Sequence, residues 1–450
     1  MKHAQNFIIL FQEASKIVHD QGLKTSSSFL SKSELVSITE ATGRVCAEAV
    51  HGNEAVPSFN NSSMDGFAVR SEETIEASSS RPIHFEVQET VLAGHAPLLS
   101  PAKKPRACYE IMTGAPIPSG FDAIYKIEDV EVQYDSNKKP LTLVIRAPIA
   151  KLTHFRAHGA DFALGQKLFE AGTVLMPEQI MALASVGVGQ IRVLRKPKIA
   201  VLSTGSELTD PREPKLLPGK IRNSTASYLV SAIPFFGAEV RYYGTVTDQR
   251  EVFVQALKEI LKDQPDIILT TGAVSKGTHD FIPDVIREMK ADILFHNVAI
   301  RPGKPQLFAQ FPDHGPAFFG IPGNPVSTAV GLRFFVNTYL RGLIAQPQER
   351  PLQAKLYADV EKATGLRSFF KAHATMSEHG TQITSLAGQP SFMVSPLLRA
   401  NAWVVLEEAP EIVPQGTTVD FYPLYPSSYD YSTNTASNKG VALPGSDKCC

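Results

Sequence analysis

Residues 266 to 281 read DIILTTGAVSKGTHDF. The first four residues are typical of a short strand buried in a sheet, and the segment that follows is rich in glycine, hydroxyl groups and charge. A connecting loop needs turn residues, but it does not need a lysine, an acid and several hydroxyls around Gly272 and Gly277. This stretch therefore predicts a strand that ends in a loop built to hold an anion, directly or through a metal ion.

The neighbouring sequence places this strand in a larger sheet. Strands are expected at 199–202, 239–246, 266–271, 292–299, 306–311 and 317–320, and helices at 226–236, 250–262, 282–289 and 326–343. This alternation predicts a central open, mostly parallel α/β domain with three layers. In such sheets ligands bind beyond the carboxyl ends of the strands, and the loop after residue 269 lies at one of those ends.

Five loops at this predicted sheet edge share a polar character. They lie at 203–207, 247–248, 277–280, 301–305 and 320–327. They supply the carboxylates of Glu207, Asp248 and Asp280 and the cations Arg301 and Lys304. Glycines let the backbone approach a phosphate, and the helix start near residue 326 offers free N–H groups. The set predicts a phosphorylated or adenylylated ligand with Mg²⁺, which favours carboxylate and phosphate oxygens.

Taken singly, these residues also have structural explanations. Asp248 can cap the helix that follows it, Glu207 suits the first turn of a helix, and Pro-Gly pairs are ordinary turn chemistry. Their grouping on one sheet edge favours a binding site instead. The chain has no G-x-x-x-x-G-K-[ST] motif and no G-x-G-x-x-G motif opening a helix, so the common nucleotide-binding loops are not indicated.

A chain of 450 residues is expected to form two to four domains. The predicted divisions are a helical dimerisation segment at 1–50 that is continued by a linker at 150–195, a β-rich domain at 51–149, the α/β domain at 196–345, a C-terminal β-domain at 346–425 and a disordered tail at 426–450. An amphipathic N-terminal helix is predicted from one apolar stripe formed by Phe7, Leu10, Phe11, Ala14, Ile17 and Val18.

Composition excludes several classes of protein. The net charge is −1, so no broad positive field favours nucleic acid or a membrane surface. No apolar run approaches the roughly 20 residues that span a bilayer, and the run at 7–11 is too short for a signal peptide. The four cysteines, Cys46, Cys108, Cys449 and Cys450, have neither metal-ligand spacing nor the density of a disulfide framework. A cytoplasmic protein is expected.

Taken in order, the motifs of this chain resemble the molybdopterin molybdenumtransferase family, which comprises bacterial MoeA proteins and the E domain of gephyrin and its plant counterpart. The resemblance runs from about residue 7 to 425. It rests on PSFNNSSMDGFAV at 57–69, IMTGAP at 111–116, RAHGAD at 156–161, STGSEL at 203–208, the loop at 270–281, PGKP at 302–305 and PGNPVS at 322–327.

The resemblance implies an elongated multidomain protomer that forms a homodimer, with each active cleft shared between subunits. The implied reaction inserts molybdenum from molybdate into adenylylated molybdopterin and releases AMP with the help of Mg²⁺. The acids implied in catalysis are Asp65 (reaching in from the second subunit), Asp161, Glu207, Asp248 and Asp280, of which Asp248 and Asp280 would hold Mg²⁺.

Two further sets of residues follow from the resemblance. Those implied to bind the adenylylated pterin are Thr204, Gly205, Ser206, Gly272, Ser275, Gly277, Pro302, Gly303, Lys304, Pro322, Gly323 and Asn324. Those implied to bind molybdate, a small tetrahedral dianion, are Arg301, Lys304, Ser327, Lys371 and Ser391. This chain departs from the family pattern at Lys276, Thr225 and Pro390, and at Arg301 and Lys371, where the family usually has lysine and arginine respectively.

Other functions remain open on the sequence alone. The α/β domain also resembles pterin-binding adenylyltransferases, and a phosphoanhydride hydrolase or a non-catalytic scaffold of the gephyrin kind are further alternatives. The β-rich insertion and the C-terminal β-domain favour the transferase. Its expected partners are a second copy of the chain, an upstream molybdopterin adenylyltransferase and downstream molybdoenzymes or their chaperones, with no nucleic acid and no membrane.

Overall fold

The computed structural model of the chain describes residues 8–273, 281–378 and 380–426. The α-helices are Phe11–Leu30, Pro177–Ser185, Ser224–Ala232, Arg250–Lys262, Ile282–Glu288, Pro325–Gly331 and Asn337–Leu343, and a π-helical turn at Leu332–Val336 joins the last two into one continuous helix. No helix in these three ranges is both long enough and apolar enough to cross a membrane.

The N-terminal helix packs along the end of this continuous helix. Its buried residues include Ala14 and Val18 of the predicted apolar stripe, whereas Leu10, also predicted for the stripe, precedes the helix and is exposed. The helix begins at Phe11 rather than in the preceding run, because Ile9 instead forms a parallel bridge with Val298 of the α/β domain. Phe7 lies outside the described residues.

The β-rich part forms a six-stranded sheet. In spatial order its strands are Ala123–Lys126, Gly66–Val69, Ala107–Ile111, Ile83–Val91, Pro140–Ile145 and Glu131–Tyr134. Side chains alternate between its two faces: Phe67 and Cys108 belong to one apolar cluster, whereas Ala68 and Tyr109 belong to another. Burial of both faces accounts for the high apolar content of these strands.

Short antiparallel pairings join the segments on either side of this sheet. The pairs are Ser33–Ser37 with Gln190–Leu194, Val50–His51 with Lys167–Phe169, and Asn61–Ser62 with Phe155–Arg156. Leu175, Leu183 and Val193 form the centre of the cluster between them. The segment before the β-rich sheet therefore packs directly against the segment after it.

The central domain is a six-stranded sheet between two layers of helices. In spatial order its strands are Glu239–Val246, Lys198–Thr204, Ile267–Thr271, Ala317–Ile321, Leu307–Gln310 and Asp292–His296. The first four strands are parallel and the last two run antiparallel to their neighbours. Ile199 and Val201 face one helix layer, and Ala200 and Leu202 face the other, so the strands are apolar on both faces.

The C-terminal domain is a closed five-stranded barrel. Its strands in spatial order are Arg367–Ser377, Gly380–Ser385, Leu352–Leu356, Thr418–Pro423 and Ala402–Leu406, and the last pairs again with the first. The short strand Val360–Glu361 pairs with Ile412–Val413. The strand Ile300–Arg301 of the α/β domain extends the barrel sheet by pairing with Arg367 and Ser368.

Apolar packing fixes the barrel against the α/β domain. Phe369 and Trp403 of the barrel lie in the same cluster as Phe334 of the continuous helix, and the Phe334 and Phe369 ring centroids are 4.5 Å apart. A buried ion pair between Arg333 and Glu349 lies at the same interface. The space between the two domains is therefore a fixed feature of the fold.

Candidate active site

The loop 301–304 presents two cations at the junction of the α/β domain and the barrel. Arg301 is held by the strand pairing with the barrel, and the Val298 N–H donates to the Lys304 carbonyl at 2.9 Å. Gly303 supplies the left-handed backbone, with φ of 102°, that the turn requires. Both side chains are exposed, and neither forms a hydrogen bond or ion pair with any residue in the described ranges.

Two serines line the same cleft as these cations. Ser327 is in the first turn of the helix that begins at Pro325, and only 3% of its surface is exposed. Ser391 belongs to a barrel loop, and its carbonyl accepts a hydrogen bond from the Val326 N–H at 3.0 Å. This bond attaches the barrel loop to the start of the helix.

The cations and serines line one cleft of about 1020 Å³ between the two domains. Arg301, Lys304, Ser327 and Ser391, which the resemblance assigns to molybdate, are all in its wall, as are Pro302, Gly303, Pro322 and Asn324 from the pterin set. Two unpaired cations and two hydroxyls suit an oxyanion, because each can donate hydrogen bonds to it.

Lys371, the fifth residue assigned to molybdate, does not line this cleft. The residue is fully buried, and its ammonium donates to the carbonyls of Gly388, Pro390 and Met393 at 2.6, 3.4 and 3.0 Å. Burial lowers the pKa of the Lys371 ammonium to about 8. All three of its N–H donors are thus used to hold the loop that carries Ser391.

Gln389, which no motif indicated, supports the same loop. Its side-chain oxygen accepts a hydrogen bond from the backbone N–H of Lys371 at 3.0 Å. Its side-chain nitrogen donates to the backbone carbonyls of Lys371 and Leu386 at 3.0 and 2.7 Å. Gln389 also lines the cleft. A single glutamine in a loop has no periodicity or motif that would single it out, so only its contacts identify it.

Close backbone packing characterises the edge formed by the ends of the parallel strands. Thr204 donates from Oγ1 to the Thr271 carbonyl at 3.0 Å. A Cβ on Gly272, whose φ is 90°, would lie 2.5 Å from the Thr204 carbonyl oxygen. A Cβ on Gly323 would lie 3.7 Å from the Gly272 Cα. Three predicted pterin-binding positions therefore meet here.

Asp248 is tied to the neighbouring strand-end loop. Its Oδ2 accepts from the Ser206 N–H at 2.9 Å, and the Ser206 hydroxyl lies 3.4 Å from the Asp248 N–H. The following helix has Gln249 as its N-cap, without a side-chain cap. Asp248 therefore does not cap this helix, which was the structural explanation that the sequence allowed for it. Glu207 is exposed, and its carboxylate lies beside Gly205.

Ser275, Lys276, Gly277 and Asp280 lie outside the described residues. Within residues 8–273, 281–378 and 380–426, no group of three or more His, Cys, Asp or Glu side chains is arranged to hold a metal ion. Asp280 as a metal ligand therefore stays a prediction.

Thr225, one of the departures from the family pattern, has a defined role in the structure. It is buried, and its hydroxyl donates to the Asn223 side-chain oxygen at 3.0 Å. The same oxygen accepts from the Ala226 N–H at 3.0 Å and so caps the helix Ser224–Ala232. Thr225 thus steadies the helix start that packs beside the first strand end.

The motifs of the N-terminal half converge on a second patch. The pairing of Asn61–Ser62 with Phe155–Arg156 joins the 57–69 and 156–161 motifs, and the Gly114 N–H donates to the Ser62 carbonyl at 2.8 Å. Asp65 accepts from the Thr113 N–H at 2.6 Å, and this hydrogen bond lowers the pKa of the Asp65 carboxyl. Asp65 and Asp161 are both exposed.

This second patch has no polar contact with the cleft among the described residues. Asp65 and Asp161 belong to the β-rich sheet and its flanking loops, which have their own apolar clusters. No hydrogen bond, strand pairing or ion pair of the described residues connects either acid to the strand ends around Thr204 or to the cleft.

Three family models match successive parts of the chain. The MoeA N-terminal region (domain I and II) matches residues 9–187, the probable molybdopterin binding domain matches 200–342, and the MoeA C-terminal region (domain IV) matches 353–424. These matches confirm the resemblance drawn from the motifs.

Individual relatives extend over most of the chain. It is 35% identical to the molybdopterin molybdenumtransferase of Synechococcus elongatus over 387 residues, covering 86% of this chain and 93% of the relative. The protein of the same name from Staphylococcus aureus strain MRSA252 is 32% identical, covering 86% and 90%. The crystal structure of the molybdopterin biosynthesis moeA protein of Pyrococcus horikoshii OT3 superposes with a TM-score of 0.75 at 27% identity, covering 92% and 99%. The expected fold class is confirmed, and the chain belongs to the MoeA family.

Proposed function

We propose that this chain is a molybdopterin molybdenumtransferase that inserts molybdenum from molybdate into adenylylated molybdopterin and releases AMP. Membership of the MoeA family and relatives that bear this name support transferase chemistry in molybdenum cofactor biosynthesis. The observation that carries the proposal is one cleft lined by Arg301, Lys304, Ser327 and Ser391, in which neither cation forms an ion pair with a residue of the described ranges.

Two cations of this cleft support molybdate binding, although its lining also includes the carboxylates of Asp359, Glu361 and Glu411. A tetrahedral dianion requires positive charge and several hydrogen-bond donors, and Arg301 and Lys304 supply both. The hydroxyls of Ser327 and Ser391 add two further donors. Neither cation forms an ion pair with an acidic residue in the described ranges. An incoming oxyanion therefore does not have to displace an ion pair there.

The pterin and its pyrophosphate are proposed to lie along the strand ends. The tight approach of Thr204, Gly272 and Gly323 leaves backbone rather than side chains at this edge, and backbone N–H groups suit phosphate oxygens. The remaining predicted contacts are Gly205, Ser206, Pro302, Gly303, Lys304, Pro322 and Asn324, together with Ser275 and Gly277 outside the described residues. Cleavage of a phosphoanhydride depends mainly on positioning and on charge.

Mg²⁺ is the proposed cofactor. The Asp248 carboxylate and the Ser206 hydroxyl are hard oxygen donors on two loops that hydrogen-bond to each other, which fits a metal that binds through one or two protein oxygens. Asp248 would hold the ion, with Asp280 as the second predicted ligand and Glu207 as a nearby acid. When bound, Mg²⁺ would neutralise charge on the phosphate oxygens.

A homodimer is part of the proposal. The patch that carries Asp65 and Asp161 is exposed and is not connected to the cleft by described contacts of the same chain, which supports its contribution to the site of a second copy. We propose a cytoplasmic location, and an upstream molybdopterin adenylyltransferase and downstream molybdoenzymes or their chaperones as partners.

The decisive experiment measures AMP release from adenylylated molybdopterin by the purified protein with Mg²⁺, with and without molybdate. We expect AMP release that requires molybdate. The Lys304→Met variant should lose most of it, because one of the two cations proposed to bind molybdate is removed. Lys355→Met is the matched control, since Lys355 is an exposed lysine of the barrel that does not line the cleft.

The alternatives give different results in the same assay. Release of AMP that is indifferent to molybdate would identify a phosphoanhydride hydrolase. Bound pterin without AMP release would identify a carrier or a scaffold and would refute the proposed transferase.

A further inference from the structure

The cleft contains a third cation, Lys362, which no motif indicated. Lys362 follows the short strand Val360–Glu361 of the barrel and lies in the cleft wall that also carries Arg301 and Lys304. Only 6% of the residue is exposed. Lysine is almost never buried to this extent unless its charge is paired.

Lys362 lacks such a partner. Its ammonium makes one hydrogen bond, to the carbonyl of the adjacent Ala363 at 3.3 Å, and it forms no ion pair within the described residues. An ammonium has three donors, so two of them are unused. Burial lowers the pKa of this ammonium, and the more distant charge of Glu408 raises it by a smaller amount.

Glu408 forms no hydrogen bond or ion pair with Lys362 within the described residues, and its buried Oε1 has no hydrogen-bond partner there. Its Oε2 accepts from the Arg367 guanidinium at 3.3 Å. The acids that share the cleft with Lys362 are Asp359, Glu361 and Glu411, and all three are exposed to solvent. None forms an ion pair with Lys362. The buried ammonium is therefore free to pair with an anion that enters the cleft.

We infer that Lys362 binds an oxyanion in this cleft and is the cation that the barrel contributes to substrate binding. The resemblance assigns that part to Lys371, but the three carbonyls around Lys371 already use its donors. Lys371 holds the Ser391 loop, and Lys362 meets the ligand. This inference rests on the proposed function, and the oxyanion is either molybdate or the pyrophosphate group of the adenylylated pterin.

The test is a calorimetric titration of the full-length protein with sodium molybdate and, separately, with sodium pyrophosphate. Lys362→Met removes the charge and keeps an apolar chain of similar length, whereas Lys362→Arg keeps the charge. We expect Lys362→Met to weaken binding of one of the two anions by about tenfold or more, the loss of one charge-assisted contact. Lys362→Arg should stay within about threefold of the unmodified protein, and Lys355→Met should bind both anions normally.

The outcomes separate the possible roles. A loss for molybdate alone, or for pyrophosphate alone, supports the inference and identifies the source of the oxyanion. A variant Lys362→Met that melts at a lower temperature but binds both anions normally would overturn it, because Lys362 would then be only structural. In that case the unmodified protein still binds the anions and the proposed function stands. If the unmodified protein binds neither anion, the inference and the molybdate site fall together.

Discussion

The barrel contains two buried lysines whose hydrogen bonds differ. Lys371 and Lys362 are both buried and both lie near the cleft. The first donates to three carbonyls, whereas the second donates to one. The Lys371 ammonium is fully hydrogen-bonded and holds a loop. The Lys362 ammonium has unused donors, so we infer that it is available to a ligand.

The pH dependence of stability should reveal the environment of Lys371. Its pKa in the folded protein is about 8, below the ordinary 10.5. Between these values the unfolded chain holds more protons, so the contribution of this residue to the free energy of unfolding rises with pH, by at most about 1.4 kcal/mol per pH unit for one proton. The contribution is lowest below pH 8.

Urea unfolding of the unmodified protein and of Lys371→Met, from pH 7 to pH 9.5, measures this effect. The difference in the free energy of unfolding should shift in favour of the unmodified protein as the pH increases through 8. The same difference for the exposed Lys355→Met should stay constant. A constant difference for Lys371→Met as well would contradict the lowered pKa.

The motifs predicted which residues to look for, but not where their polar atoms point. Arg301, Lys304, Ser327 and Ser391 were assigned together from the resemblance, and the fold brings all four to one cleft. The partners of Lys371 and the isolation of Lys362 depend on the path of the 388–393 loop, which no local pattern specifies. Gln389 was missed for the same reason.

At the scale of elements, the order of strands and helices in the α/β domain follows the sequence pattern closely. The departure is at the edge of the sheet, where Leu307–Gln310 and Ala317–Ile321 are antiparallel. Only six residues separate them, which is too short for the crossover that parallel strands need. That spacing was a usable signal for a mixed sheet. The π-helical turn at Leu332–Val336 has no such signal, because its residues fit an ordinary helix equally well.

The crossing of the first and last long helices depends on two glycines. A Cβ on Gly342 would lie 2.4 Å from the His19 carbonyl oxygen, and one on Gly22 would lie 2.5 Å from the Tyr339 carbonyl oxygen. Real Cβ atoms do not approach backbone this closely. The helices are therefore in contact through their main chains, and a side chain at either position would separate them.

Gly342→Ala should therefore lower the free energy of unfolding, by about 1–3 kcal/mol, the usual cost of overpacking. The sign is informative, because glycine to alanine in the middle of an unobstructed helix stabilises by about 1 kcal/mol. Urea unfolding measures the change. Gly189→Ala is the control, since a Cβ there meets nothing within 4 Å, and it should change stability by less than about 0.5 kcal/mol. An increase in stability for Gly342→Ala would show that the helices are not in main-chain contact.

At the scale of the whole molecule, the protein consists of two parts with different relations to the cleft. The N-terminal helix, the α/β domain and the barrel share one apolar cluster, so the cleft between the last two is built into a single core. The β-rich sheet has separate clusters on its two faces. Its exposed patch with Asp65 and Asp161 is therefore available to another molecule.

A mixture of two inactive variants tests whether this patch completes the cleft of a second copy. Asp65→Asn and Lys304→Met should each be nearly inactive in the AMP-release assay as homodimers. When the two chains are co-expressed and assort at random, half of the dimers contain one of each. Each mixed dimer then has one cleft in which Lys304 of one chain and Asp65 of the other chain are both unchanged. One intact cleft in two, in half of the dimers, should restore activity to about a quarter of that of the unmodified protein.

A second mixture provides the control for this complementation. Asp248→Asn and Lys304→Met lie in the same half of the proposed site, so every cleft of their mixed dimers carries one defect or the other, and activity should stay low. Light scattering must show dimers in both mixtures. If Asp65 instead served the cleft of its own chain, the first mixture would also stay inactive, because each chain would carry one complete defect. Recovery in the first mixture alone is therefore the result that only a site shared between two copies can produce.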